Sequence, residues 1–205
     1  MSKNKKSKKI WIFLLLAVVL IVGVLFWIKP WQSRHKDDSE RDEGKILYYT
    51  ADFDADIMQN KVYLSYDRGL LFGTPYQQLK YDFEADYDKA SKEAKFFLDY
   101  FDCLIRGDET EIVSFFTEGY FEKNPHFTQQ MIHDMSVILH SVERETVDGT
   151  ETDVYSYTVT YEIFHNNGTW RKGVGSDDAR PQIYQLICAE SGQYRIFRIL
   201  DVMMQ

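Results

Sequence analysis

The sequence predicts an α+β protein, with a single N-terminal transmembrane helix followed by three helices packed on the concave face of a curved antiparallel sheet. Three observations carry that prediction. Residues 10–28 form an unbroken apolar run of nineteen residues. Between Asp86 and Arg144 apolar residues recur at helical spacing. After Gly149 they alternate with polar ones, as in strands buried on one face.

The run Ile10–Ile28 would span roughly 28 Å as a helix, close to the thickness of a hydrocarbon core. It exceeds the apolar segment of a cleavable signal peptide, and no small-residue cleavage site follows it. Trp11 stands at one end and Trp27 and Trp31 at the other, where indoles prefer the headgroup region. Lys3, Lys5, Lys6, Lys8 and Lys9 precede it without an acid, so residues 1–9 read as a cytoplasmic tail. The expectation is a signal-anchored, single-pass protein of the cell membrane, its C-terminal domain extracytoplasmic. Residues 29–44, rich in charge and without apolar periodicity, read as a spacer.

Residues 45–83 are expected to form a small β-hairpin extension. Ile46–Thr50 has strand character, and Val62, Leu64 and Tyr66 alternate with polar neighbours. Asp67-Arg68-Gly69 and Gly73-Thr74-Pro75 supply turns.

The α+β domain is expected over residues 84–205. Its first helix runs from about Asp86 to Arg106, with a wide stripe of Ala90, Ala94, Phe97, Phe101 and Leu104, and Gly107 ends it. Asp108 then reads as the N-cap of a second helix, with Glu111 in the capping-box position and Ile112, Phe115, Phe116 and Tyr120 buried. Asn124-Pro125 precedes a third helix, about Phe127–Arg144, whose stripe is Met131, Ile132, Met135, Ile138, Leu139 and Val142. In the strand block, Tyr155, Tyr157, Val159, Tyr161 and Ile163 share one face. Asn167-Gly168 is a hairpin signal, since a type I′ turn needs two positive φ angles. Strands over about Pro181–Ala189 and Tyr194–Val202 follow, joined by Ser191-Gly192.

Charge narrows the partners. Residues 32–205 carry 18 basic against 32 acidic residues, a balance of −14 that repels polyanions and excludes nucleic acid as a partner. Fourteen Phe and fourteen Tyr supply a sizeable core. Cys103 and Cys188 read as two independent buried thiols in preference to a single disulfide.

The stretch AKFFLDYFDCLIRGDETEIVSFFTEGY joins an aromatic-rich helix, a Gly-Asp break and a short helix ending in aromatics. It resembles the opening of the nuclear transport factor 2-like superfamily, and the likeness extends over about residues 86–203. That resemblance implies a cone-shaped domain with an apolar cavity between helices and sheet, often dimeric through the sheet. The order of tail, single span and exterior domain is similar to the bitopic scaffold subunit of type IV secretion and conjugation machines.

Enzymes of the resembled fold place an Asp or His base at the cavity mouth with a Tyr or second Asp as partner. The corresponding candidates are Asp99, Asp102, His133, Asp134 and His140, with a tyrosine from the 155–161 strand. Sequence distinguishes none of them. His133 and His140 lie beside Gln129, Gln130, Ser136 and Ser141, which reads as a solvated pair; HExxH is absent. Asp52-Phe53-Asp54-Ala55-Asp56 opens like a calcium loop, but Ile57 stands where Gly is required and Tyr63 where Glu is required. Gly173-Val174-Gly175 lacks the third glycine of a dinucleotide loop. Asn167-Gly168-Thr169 reads as turn chemistry more than as a glycosylation acceptor. Tyr155, Tyr157 and Tyr161 read as core before cavity lining.

No catalytic, cofactor or metal residue is assigned. The expected function is a non-enzymatic, membrane-anchored extracytoplasmic scaffold or protein-interaction domain. Its expected partners are membrane lipid through the anchor, other envelope proteins and a second copy through the sheet. The alternative is a ligand-binding or catalytic cone using one Asp or His in an apolar cavity.

Overall fold

Among the described residues six strands pair edge to edge in the order β2-β1-β3-β4-β5-β6, and one helix covers them. The computed structural model describes residues 46–189 and 191–202, all within one unit, Ile46–Gln205. The strands are β1 (Leu70–Gly73), β2 (Gln78–Tyr81), β3 (Ile132–Val147), β4 (Thr150–Ile163), β5 (Gln182–Cys188) and β6 (Tyr194–Asp201). The helix α1 is Lys92–Arg106. All neighbouring strands are antiparallel except β1 and β3, so the sheet is mixed.

Helix α1 forms where the sequence supplies both ends. The Ser91 hydroxyl accepts from the Ala94 amide at 3.2 Å, satisfying one of the free N-terminal donors. At the other end Gly107 adopts φ +68°, the Gly107 amide donates to Leu104 and the Asp108 amide to Cys103, a Schellman close. Phe97 packs on Tyr157 and Phe101 on Tyr161, while the Tyr100 and Tyr184 hydroxyls meet at 3.1 Å. These pairs join α1 to β4 and β5 across the core, and each tyrosine hydroxyl buried there needs such a partner.

Three helices on an antiparallel sheet is corrected to one helix on a mixed sheet. The segment expected as a third helix, about Phe127–Arg144, is mostly β3, Ile132–Val147. Its apolar run fits both periods, and the β-branched Ile132, Val137, Ile138, Val142 and Val147 tip it toward a pleated surface with β4 and β1 on either side. The expected second helix is a short 3-10 turn, Ile112–Phe115. The N-cap of that turn is Glu111, not Asp108, and no capping box closes, because the Glu111 carboxylate accepts from Arg106; Asp108 Oδ1 still accepts from the Thr110 and Glu111 amides at 3.1 and 2.8 Å. The chain then extends, because Phe116 bridges in parallel to Ile196 of β6 and the Thr117 amide donates to the Ile196 carbonyl.

Other expectations shift as well. Residues 46–50 form no strand and Tyr63–Ser65 is a 3-10 turn; the hairpin lies later, in β1 and β2, and joins the main sheet through β3. Gly168 does take a positive φ, +70°, but β4 and β5 are joined by residues 164–181 and not by a two-residue turn. Cys103 is buried and Cys188 is exposed; both are free. No helix among the described residues is long and apolar enough to cross a membrane, so the expected transmembrane, single-pass signal anchor is no element of the described fold. Residues 10–28, on which that expectation rests, lie outside the described residues.

A candidate acidic groove and the buried histidine behind it

Before α1 the chain runs over the helix and leaves a groove of about 1020 Å³. Successive turns of α1 form one side, presenting Leu98, Asp99, Asp102, Ile105 and Arg106, residues spaced to share a helical face. Opposite them lie Ile57, Met58 and Leu64, the strap Tyr66–Gly69, and the turn Asp82–Tyr87. The lining holds six carboxylates, Asp67, Asp82, Glu84, Asp86, Asp99 and Asp102, against three cations, Arg68, Lys80 and Arg106.

Half of those acids are already paired. Lys80 bonds Asp67, Arg106 reaches Asp102 at 2.7 Å, and Lys89 reaches Asp86 at 2.8 Å. Asp82, Glu84 and Asp99 make no ion pair with any described residue. Asp82 instead accepts from the Glu84 and Ala85 amides, and these bonds hold its carboxyl below the usual value. Asp99 behaves oppositely. Burial raises it, and the charges of Glu111 and Asp102 add to the rise, although the Tyr87 hydroxyl donates to it at 3.1 Å. An ionised Asp99 therefore sits in the groove at an energetic cost that a cation would relieve.

The strap has a second neighbour. Tyr66 stacks on His133 with ring centroids 4.3 Å apart, and the Asp67 carbonyl accepts from the Asp134 amide at 2.8 Å. His133 is 1 % exposed. Its Nδ1 lies 2.8 Å from Asp134 Oδ2 and its Nε2 lies 3.1 Å from Asp177 Oδ1. Asp134 and Asp177 both adopt left-handed backbone, φ 49° and 52°, the conformations that turn their carboxylates onto the ring. A β-bulge between His133 and Ser136 makes room for the first, and the Asp177 amide, bonded to the Ile163 carbonyl, fixes the second. Burial alone would lower the histidine, but hydrogen bonds to the Asp177 and Asp134 carboxylates and the charges of those groups outweigh it and hold it above its ordinary value. A carboxylate oxygen stands at each ring nitrogen, so either nitrogen, when it carries a proton, donates to one. Glu162, the cross-strand partner of His133, is raised by burial and then by repulsion from Asp134, Asp177 and Asp178, against the attraction of His133. One ligand atom each from His133, Asp134 and Glu162 lies within 4.8 Å of the others.

The sequence candidates therefore separate into two groups. Asp99 and Asp102 line the groove, while His133 and Asp134 meet behind the strap. His133 is buried, which overturns its reading as a solvated residue on a helix; His140 is exposed on β3 and joins neither group. Tyr157 and Tyr161 are core, and Tyr155 is half-buried against Tyr194. Tyr66, Glu162 and Asp177 escaped sequence reasoning. Asp177 stands 44 residues from His133 in a loop without periodicity, and no local signal marks it.

No protein-family model, curated protein or solved structure matches this chain. The functional argument accordingly rests on the chain's own residues.

Proposed function

We propose that residues 46–202 form a non-enzymatic protein-interaction domain that receives a cationic segment of a partner protein in the acidic groove. The observation that carries this reading is the charge of the lining: six carboxylates face three cations, and Asp82, Glu84 and Asp99 make no ion pair among the described residues. Met58, Leu64 and Ile105 add apolar surface beside those charges, suited to the stems of Lys and Arg side chains. The histidine behind the strap does not argue for acid–base chemistry, since both nitrogens are engaged and its ring is buried.

The test is fluorescence anisotropy of the full-length chain with Lys/Arg-rich peptides and an acidic control peptide. Basic peptides bind with an affinity that falls as salt rises, because exposed charges are screened over roughly 8–10 Å at 0.10–0.15 M salt. Asp99→Asn and Glu84→Gln each weaken binding several-fold. Equal binding of the acidic peptide, or indifference to both substitutions, overturns the reading. A catalytic groove is the second reading, favoured by the burial-raised Asp99 beside the Tyr87 hydroxyl. It requires Asp99→Asn to abolish turnover of a bound ligand while leaving its affinity intact.

A further inference from the structure

We infer that His133, Asp134 and Glu162 form a site for a divalent first-row transition cation, with Asp177 orienting the histidine from behind. The inference does not depend on the groove. In protein metal centres a ligating imidazole almost always donates its second N–H to a carboxylate or carbonyl, which fixes the ring and its tautomer. His133 shows that pattern: Nε2 faces Asp177 at 3.1 Å, and Nδ1 faces a second carboxylate, Asp134, at 2.8 Å. Glu162 stands across the strand pair from His133, and its carboxylate completes a three-ligand group spanning no more than 4.8 Å.

The distances suit an ion with little rearrangement. Ligand bonds near 2.0–2.2 Å place neighbouring donors about 3–3.5 Å apart. The His133–Asp134 separation is already that short, and the half-buried Glu162 side chain closes the remainder by rotation. Two anchoring features are set in advance. The left-handed backbone at Asp134 and the Asp67–Asp134 backbone bond hold the Asp134 carboxylate on the ring without a metal. Tyr66 covers the ring face.

Charge favours a cation here: carboxylates of Asp134 and Asp177 stand at the two ring nitrogens, and the Glu162 carboxylate lies beside the first of them. A dication entering at Nδ1 displaces to solvent any proton held there and adds positive charge among these carboxylates. An imidazole with two carboxylates suits Zn²⁺, Co²⁺ or Mn²⁺ and offers too few oxygens for Ca²⁺. Asp134, with its side chain half exposed, gives the ion a route from solvent.

The experiment is calorimetric titration of the metal-stripped full-length chain with Zn²⁺, repeated in two buffers of different ionisation enthalpy, with Co²⁺ absorption as a second readout. The expected result is one saturable site, with any proton displaced from the ligands showing as a difference between the two buffers. Asp134→Asn keeps a residue that tolerates left-handed backbone, and Glu162→Gln is isosteric; each weakens Zn²⁺ by at least about tenfold. Asp177→Asn weakens it by about 10–100-fold, the usual effect of removing an orienting carboxylate. Circular dichroism and thermal melting of each metal-free variant keep loss of fold apart from loss of ligand. No saturable Zn²⁺ binding overturns the inference. So does Zn²⁺ binding that all three variants leave unchanged, or Ca²⁺ binding as tight as Zn²⁺.

Discussion

Gly107 shows how much one residue decides. It stops α1 in a left-handed turn, and a methyl group there would meet the Gln129 amide nitrogen at 2.6 Å and the Thr128 carbonyl carbon at 2.9 Å. Both obstacles are backbone, so neither can rotate away. Left-handed backbone alone costs a residue with a side chain about 1–2 kcal/mol. Gly107→Ala is therefore expected to destabilise the domain by at least about 2 kcal/mol. Gly149 is the control: its φ is +80°, and a Cβ there meets nothing within 4 Å. Gly149→Ala should lose only the backbone share, about 1–2 kcal/mol. Urea unfolding of the two variants separates the contributions, and equal losses would show that Gln129 gives way. The two positions also show what sequence discloses. A glycine after a helical stripe announces the stop, but nothing local announces that residues 128 and 129 will lie against it.

At the scale of elements, legibility follows how far a signal reaches along the chain. Helix α1 and strand β4 were readable because each carries its own period over a dozen residues. Strand β3 was not readable. Met131 to Leu139 suits either period, and the choice is made by β1 and β4, which contribute partners from residues 70–73 and 150–163. The second helix failed for the same reason, because Phe116 is drawn into pairing with Ile196, eighty residues away. The far half of β3–β4 tests this dependence on neighbours. Strand β5 pairs with β4 only from Val154 to Val159, and β1 with β3 only from Met135 to Ile138. Beyond Glu143 and Val154 the two strands form a ribbon with no third strand among the described residues, and Arg144 and Asp153 meet across it at 3.4 Å. A two-stranded ribbon alone is marginal in water. Replacing residues 145–152 with a short Asn-Gly turn should lower stability by no more than about 1 kcal/mol. Thermal melting measures it, and a large loss would reveal that the ribbon packs on the rest of the domain.

For the whole molecule the acidic groove implies a conflict between stability and binding, and pH exposes it. Asp82 is held low by backbone amides, so its ionised form stabilises the fold above pH 3.8, the ordinary carboxylate value; that stability disappears as pH falls through the lower folded-state value. Asp99 is held high by burial, so the fold favours its protonated form; ionising it opposes folding increasingly as pH rises above 3.8. Neutralising the two should therefore act with opposite signs. Asp82→Asn weakens the protein at pH 7 relative to wild type and converges with it in strong acid. Asp99→Asn, which keeps an acceptor for the Tyr87 hydroxyl, gains stability over wild type between pH 3.5 and pH 7. Urea midpoints of both variants at pH 3.5 and 7 measure the two slopes. If Asp99→Asn is the less stable at pH 7, the carboxylate is structural and the groove loses its most informative charge. The expected gain has a functional meaning. A carboxylate that opposes folding while ionised, in an open groove, is relieved when a partner's cation arrives. The same substitution should then stabilise the free domain and weaken its hold on a basic segment, a pairing of effects that a purely structural acid would not produce.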